Sequence, residues 1–340
     1  MKYKIGRNNL AATIYVPYDC DNNCPFCTSK IEYRKHFPDV GHIVAALKSL
    51  VDNPLIQNIV FTGGEPLADM TILKMLIDIT KNKGKNVFIN TTFPRNNLDA
   101  FFSLLEEGNI NGVNISRHGA SYEEDSKFFY NIVPDWLMNR ISVPIKINAV
   151  VTDVDSFMAK LPAIINRWNK PNIRLCIRHD FRTTTFANLH TLVDDPILDY
   201  LTRNYLFESH TFCDVCDTVN FENGISYHRG MEHSSIKIGD TVIVNDIIVF
   251  PDGFVAYDWD RKPISDLEGF MDLGDFKTKT FEKIYKETIQ SSNLQSKNQN
   301  TEKITKGYVG EYLGCGQYRR SVSLGCGVYD YYPRCGRGSC

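Results

Sequence analysis

Ala12-Thr13-Ile14-Tyr15-Val16, followed by Cys20-Asp21-Asn22-Asn23-Cys24-Pro25-Phe26-Cys27, decides what kind of fold this 340-residue chain adopts. The first segment is rich in β-branched and aromatic residues and reads as a strand. The second sets three thiols within eight residues just beyond that strand's C-terminal end. A short loop can wrap three sulfurs around one centre, and thiolates favour zinc or the iron of a cluster. Spacing alone leaves both open. A zinc site would need a fourth, distant Cys or His, whereas a [4Fe–4S] cluster on three cysteines keeps one iron free for another ligand.

Outward from that loop, short β-branched runs alternate with longer amphipathic ones. Strands are expected at 12–16, 58–61, 86–90, 112–116, 144–150 and 172–177, and helices at 40–51, 70–82, 98–107, 122–129 and 155–167. Ile43, Val44, Leu47 and Leu50 recur at helical spacing, as do Ile72, Leu73, Leu76 and Ile79. Asp39, Asp69, Asn97 and Asp155 stand where helix caps belong. Six strands separated by helices argue for consecutive β-α units and a parallel sheet, an α/β fold. The alternation stops near residue 180, so six units rather than eight are expected.

A second motif, Thr62-Gly63-Gly64-Glu65-Pro66, follows the second expected strand. Adjacent glycines let a backbone pass close to a ligand, Glu65 offers a carboxylate for an amino group, and Pro66 restricts the exit. Both motifs lie at strand C-terminal ends of one β-α series, where such folds build their sites.

With the order Cys-x3-Cys-x2-Cys, an aromatic residue (Phe26) before the last cysteine, then Gly-Gly-Glu-Pro, residues 11–180 resemble the radical S-adenosylmethionine (SAM) superfamily. The resemblance implies a partial (β/α)6 TIM-like barrel over residues 10–205. It implies that Cys20, Cys24 and Cys27 ligate a [4Fe–4S] cluster whose free iron chelates SAM. Gly63, Gly64, Glu65 and Pro66 would hold the methionine amine, and Thr92, Ser116 and Asn148 would supply further SAM contacts from the ends of later strands. It implies an external one-electron donor such as flavodoxin or ferredoxin, and a 5′-deoxyadenosyl radical that takes a carbon-bound hydrogen from substrate. His118 and His228 are candidate donors or proton carriers at that site. Arg178, beside His179, is a candidate for an anionic substrate group. Cys176, inside an apolar run, reads as a buried structural thiol.

Residues 206–340 are expected to form a small α+β, cysteine-rich domain. Thr241 to Phe250 and Phe254 to Trp259 read as strands about Pro251-Asp252-Gly253, with a break at Asn245-Asp246. This hairpin, with 271–285 after it, resembles a divergent SPASM or twitch extension, which implies an auxiliary [4Fe–4S] cluster. Tyr257-Asp258-Trp259 stands where that extension carries a cysteine. Cys213 and Cys216, with two of Cys315, Cys326 and Cys335, are the expected ligands; zinc and plain structural thiols are the alternatives. Cys340, as the last residue, tends to fray.

With 38 basic and 40 acidic residues the chain carries a formal charge of −2, which does not steer it to nucleic acid. No apolar run is long enough to span a membrane, and no signal-like start is present, so a cytoplasmic setting is expected. The expected substrate is a peptide or protein, since the extension it resembles accompanies such enzymes. A small metabolite or nucleotide is the alternative.

Overall fold

The computed structural model describes residues 2–5, 10–180, 195–238 and 240–263, plus short strands between 317 and 331; within these spans positions 19, 23, 25, 26, 28, 30–34, 214, 215 and 231–234 are not described. Residues 271–285, part of the expected extension, and Cys315, Cys326, Cys335 and Cys340 lie outside the described residues.

A short strand β1 (Lys2–Ile5) precedes β2 (Leu10–Tyr15), after which β-α units follow in order. They are α1 (Val40–Asp52), β3 (Ile56–Thr62), α2 (Met70–Lys81), β4 (Asn86–Thr91), α3 (Leu98–Glu106), β5 (Gly112–Ser116), the single turn α4 (Tyr122–Asp125), β6 (Ile145–Val151), α5 (Val154–Trp168) and β7 (Ile173–His179). Strands β2 to β7 lie side by side, all parallel, as the alternation requires. Asp39 and Asp69 cap α1 and α2 by accepting the His42 and the Thr71 and Ile72 amides. The α5 cap is Asp153, accepting from Ser156, rather than Asp155. Asn97, with φ 60°, makes no side-chain cap bond; its amide donates instead to the Leu67 and Ala68 carbonyls. The helix expected at 122–129 is one turn long because the chain bends away to bury Asp125.

The sheet does not end at residue 205. After α6 (Pro196–Asn204) come β8 (Phe207–Cys213), β9 (Cys216–Phe221), β10 (Ile225–Gly230), β11 (Ser235–Ile238), β12 (Thr241–Val244), β13 (Asp246–Val249) and β14 (Val255–Ala256). One sheet of 11 strands takes the order β14-β13-β2-β3-β4-β5-β6-β7-β10-β9-β8 and is not closed. β10 lies parallel to β7, and β13 parallel to β2, so two parallel strands from the later chain flank the six expected ones. The sheet therefore runs across the expected boundary at 205/206. Residues 207–230 hide their period because both faces carry polar groups: Ser209, Thr218 and Asn220 on one, and the His210–Asp217–Arg229 ion network on the other. β12 leaves for a small sheet with β1 and β11, and Asn245 marks the change of sheet. The turn into β14 needs Gly253, whose φ is +80° and whose added Cβ would fall 2.3 Å from His42 Cβ.

Alternation gives every strand two faces. Ile59, Phe61, Ile89, Val113, Ile115, Ile147, Leu175 and Ile177 join Leu47, Leu76, Phe101 and Ile164 of the helices in one continuous core. Full burial of such a side chain stabilises by roughly 1.5–3 kcal/mol. On the far face Ala11, Val60 and Phe88 make a separate apolar cluster near the N-terminal ends. Above it the face turns polar: Asn90 Nδ2 donates to Thr62 Oγ1 at 3.3 Å and Asn114 Nδ2 to Asn90 Oδ1 at 2.6 Å. An apolar floor under a polar wall at the C-terminal rim is what a site for a polar ligand needs.

Candidate functional site

The cysteine loop leaves β2 at the C-terminal rim. Cys20, Cys24 and Cys27 are in no disulfide and partly exposed, and the Cys27 amide donates to the Cys24 carbonyl at 3.2 Å. Asn22, only 5% exposed, donates from its backbone N–H and its Nδ2 to Cys20 Sγ at 3.4 and 2.9 Å. Burial raises the Cys20 thiol pKa, against the lowering effect of these Asn22 donors; nearby Glu65 and Cys27 raise it further. Among the described residues no three His, Cys, Asp or Glu side chains converge on a single-ion position.

Glu65 closes the other half. Gly63 takes φ 111°, open only to glycine without strain, and Glu65 then caps a short 3-10 turn, Pro66–Ala68, by accepting the Leu67 amide. Its Oε1 also accepts from Thr91 Oγ1 at 2.5 Å; Oε2 accepts from the Thr92 amide at 2.8 Å and Thr92 Oγ1 at 2.7 Å. A carboxylate offers about four acceptor sites, and here protein donors fill them. Burial lifts the Glu65 pKa against the lowering effect of these donors. This corrects the expected role of the Glu65 side chain. It clasps the end of β4 through Thr91 and Thr92, so protein donors already occupy its carboxylate.

Thr92 joins the two halves. Asn22 Nδ2 donates to Thr92 Oγ1 at 3.2 Å, so a chain of hydrogen bonds runs from Cys20 Sγ through Asn22 and Thr92 to Glu65. Asn22 Oδ1 in turn accepts the Tyr130 amide at 2.5 Å. Sequence reasoning passes over Asn22; its only signal is a short amide side chain inside a thiol loop, where it can bond both sulfur and a neighbouring hydroxyl.

The remaining predicted residues separate into two groups. Ser116, at the end of β5, and Asn148, midway along β6, are register partners on the polar wall. Asn148 Oδ1 and Asn114 Oδ1 are buried acceptors without a hydrogen-bond partner among the described residues. Arg178 and His228 are register partners on β7 and β10, and His228 Nδ1 bonds Thr218 Oγ1 at 2.8 Å. Cys176, 5% exposed, is a buried structural thiol in position, beside Asn148 and Ser226 in register. His179 lies on the helix side, in edge contact with Tyr227.

His118 is not placed as a proton carrier. Its Nδ1 accepts the Val150 amide at 3.0 Å, fixing the proton on Nε2, and its ring packs on Phe129. Burial, with Arg117 adding to it, pushes its pKa down to about 3. A histidine depressed this far stabilises the fold above its unfolded value near 6.5 and loses that contribution as pH falls. Thermal unfolding midpoints followed from pH 7 to pH 4.5 should therefore drop more steeply for the wild type than for His118→Gln; parallel slopes would refute this account. Arg117 is likewise structural: fully buried, it donates to the Thr92 and Ser116 carbonyls at 2.7 Å each and lies 4.0 Å from Asp125. Burial lowers its pKa to about 10.

Cys216 is buried and disulfide-bonded. A sulfur so bonded offers no thiolate, so metal ligation by Cys216 would require this bond to be reduced. Cys213 faces it in register across the hairpin turn.

Residues 14–142 match the family model of the Radical SAM superfamily, and this segment is a radical SAM domain. Members of that superfamily are enzymes that use a [4Fe–4S] cluster and SAM. Among solved structures, SuiB of Streptococcus suis bound to S-adenosylmethionine is similar over 57% of this chain and 45% of its own, at 18% identity and a TM-score of 0.41. The match thus spans less than half of that protein. No curated protein matches the chain. No described helix is long and apolar enough to cross a membrane.

The donor set fits the cluster. Three unbridged thiols stand at the rim, amide donors point at one of their sulfurs, and no protein side chain among those described completes a single-ion site.

Proposed function

We propose that this chain is a cytoplasmic radical SAM enzyme that modifies a peptide or protein. Cys20, Cys24 and Cys27 would hold the cluster. When bound, the cluster supplies an electron that splits SAM into methionine and a 5′-deoxyadenosyl radical, which takes a hydrogen from a substrate carbon. The protein's own residues bind and orient. The Gly63-Gly64 backbone, fixed by the Glu65 clasp, would face the methionine amine, and Ser116 and Asn148 would accept from the ribose. The single observation that carries this reading is the hydrogen-bonded chain from Cys20 through Asn22 and Thr92 to Glu65, which joins two motifs more than 30 residues apart in sequence. An external donor of the flavodoxin or ferredoxin type would supply the electron.

The peptide substrate is supported by β8, which among the described residues is an edge strand of the sheet with one side of its backbone unpaired by another strand. A second reading, a small anionic metabolite or nucleotide, is favoured by Arg178. This half-buried guanidinium on the polar wall has no ion-pair or hydrogen-bond partner among the described residues.

The test is anaerobic reconstitution with iron and sulfide, then incubation with SAM and dithionite beside either a pool of deuterated peptides or a pool of deuterated nucleotides and small carboxylates. Deuterium should appear in 5′-deoxyadenosine from the peptide pool. Transfer from the second pool alone would establish the small-molecule reading, and absence of 5′-deoxyadenosine in both would refute the enzyme assignment. About four irons per chain would mean the first cluster alone, and about eight an auxiliary one.

A further inference from the structure

We infer that Asn22 is a positioning residue that sets both the placement of the cysteine loop and the reduction potential of the group it holds. This rests on the reading that Cys20, Cys24 and Cys27 carry the cluster.

The argument starts from connectivity. Asn22 is 5% exposed, although its loop lies at the rim of the sheet. Its side chain makes three bonds in three directions: to Cys20 Sγ, to Thr92 Oγ1 at the end of β4, and from the Tyr130 amide. The first is local. The other two reach 70 and 108 residues away in sequence, so they pin the loop to the barrel from two sides. The amide of Asn22 supplies the attachment.

Electrostatics give the second role. Two N–H donors of one residue point at Cys20 Sγ. Hydrogen bonds to a cluster's sulfurs stabilise its more negative, reduced state, and they are among the protein's means of setting potential. Cys20 also sits within the field of the buried Glu65, whose charge opposes added electron density. The Asn22 donors offset that charge at Cys20 Sγ. Position and potential are thus set by one side chain, and the same side chain leads through Thr92 to the turn that would hold SAM.

Asn22→Asp is the informative replacement. It keeps the shape and an acceptor for Tyr130, removes the Nδ2 donor, and places a carboxylate beside sulfur. After anaerobic reconstitution, iron per chain, far-ultraviolet circular dichroism, the thermal midpoint and an EPR-monitored redox titration are read for wild type, Asn22→Asp and Asn22→Leu. With iron retained, both variants should need at least tenfold more reducing conditions, about 59 mV for a one-electron couple. Loss of iron from a variant with a wild-type thermal midpoint also supports the inference, through the positioning role. Unchanged iron with an unchanged potential in both variants overturns it. So does loss of iron accompanied by a matching fall in thermal midpoint in both, since Asn22 would then serve the fold alone. Wild-type protein that takes up no iron would sink the functional reading itself, and that control separates the two failures.

Discussion

Replacing Cys20, Cys24 and Cys27 together by Ala is expected to reduce 5′-deoxyadenosine formation from SAM to the level of a protein-free control, with reconstituted iron at that loop falling to background. On the proposed reading these thiolates would be the ligands, and the described residues offer no carboxylate or imidazole set to replace them. Single replacements should be nearly as severe, because a cluster held by two cysteines has two open irons and loses its orientation to the Gly63-Gly64 turn. Stability should hardly change. All three thiols are partly exposed and lie outside the apolar core, so the thermal midpoint of the variant before reconstitution should match the wild type. The measurement is therefore paired: product and iron must vanish while the fold persists. If the triple variant still makes 5′-deoxyadenosine under reductant, the cysteine loop is not the catalytic centre. If it unfolds, the loop is structural and the zinc alternative regains its footing.

The parts of this fold visible in the sequence are those with one polar and one apolar face. α1 and α2 show their core stripes plainly, and β2 to β7 carry apolar runs because helices cover one face and Ala11, Val60 and Phe88 fill part of the other. β8 to β10 were hidden for the opposite reason. His210, Asp217 and Arg229 satisfy one another on the helix side, so polar residues occupy positions that periodicity assigns to the core. The parallel pairing of β10 with β7 and β13 with β2 has no local signal, because no helix precedes either strand directly. At the site, the motifs point to candidate ligand groups, whereas the roles of their supports leave no local signal. Asn22, Arg117 and Asp125 act through contacts between distant loops, and a spacing rule cannot see a partner 25 or 70 residues away. Glu65 shows the same limit: its type is legible, but the four donors that occupy it are not.

Asp125→Ala is expected to be the most destabilising single substitution near the site. The carboxylate is fully buried; Oδ1 accepts the His118 and Gly119 amides at 2.7 and 2.8 Å, and Oδ2 accepts Arg167 Nη1 at 2.6 Å with Arg117 Nε at 4.0 Å. Arg167 keeps a second partner, Asp135, on which it makes two bonds at 2.7 and 2.8 Å, so it tolerates the loss. Arg117 does not. It is 0% exposed and would retain only carbonyl oxygens as hydrogen-bond acceptors, with Asp135 and Glu65 acting on its charge from farther away. Removing one partner from such a pair costs about 3–5 kcal/mol, and two amides would lose their acceptor as well. For a chain of this size that should lower the thermal midpoint by roughly 10 °C. The effect reaches the site because Arg117 holds the Thr92 carbonyl, and Thr92 holds both Asn22 and Glu65. SAM cleavage at a temperature where the variant is still folded should accordingly fall too. Asp125→Asn, which keeps an acceptor for both amides but removes the charge, should lie between Ala and wild type. The decisive comparison is the double variant Asp125→Ala with Arg117→Met. If the cost comes from an uncompensated guanidinium, removing that charge should recover part of the lost stability; a double variant no more stable than Asp125→Ala would instead place the whole loss in the two orphaned amides.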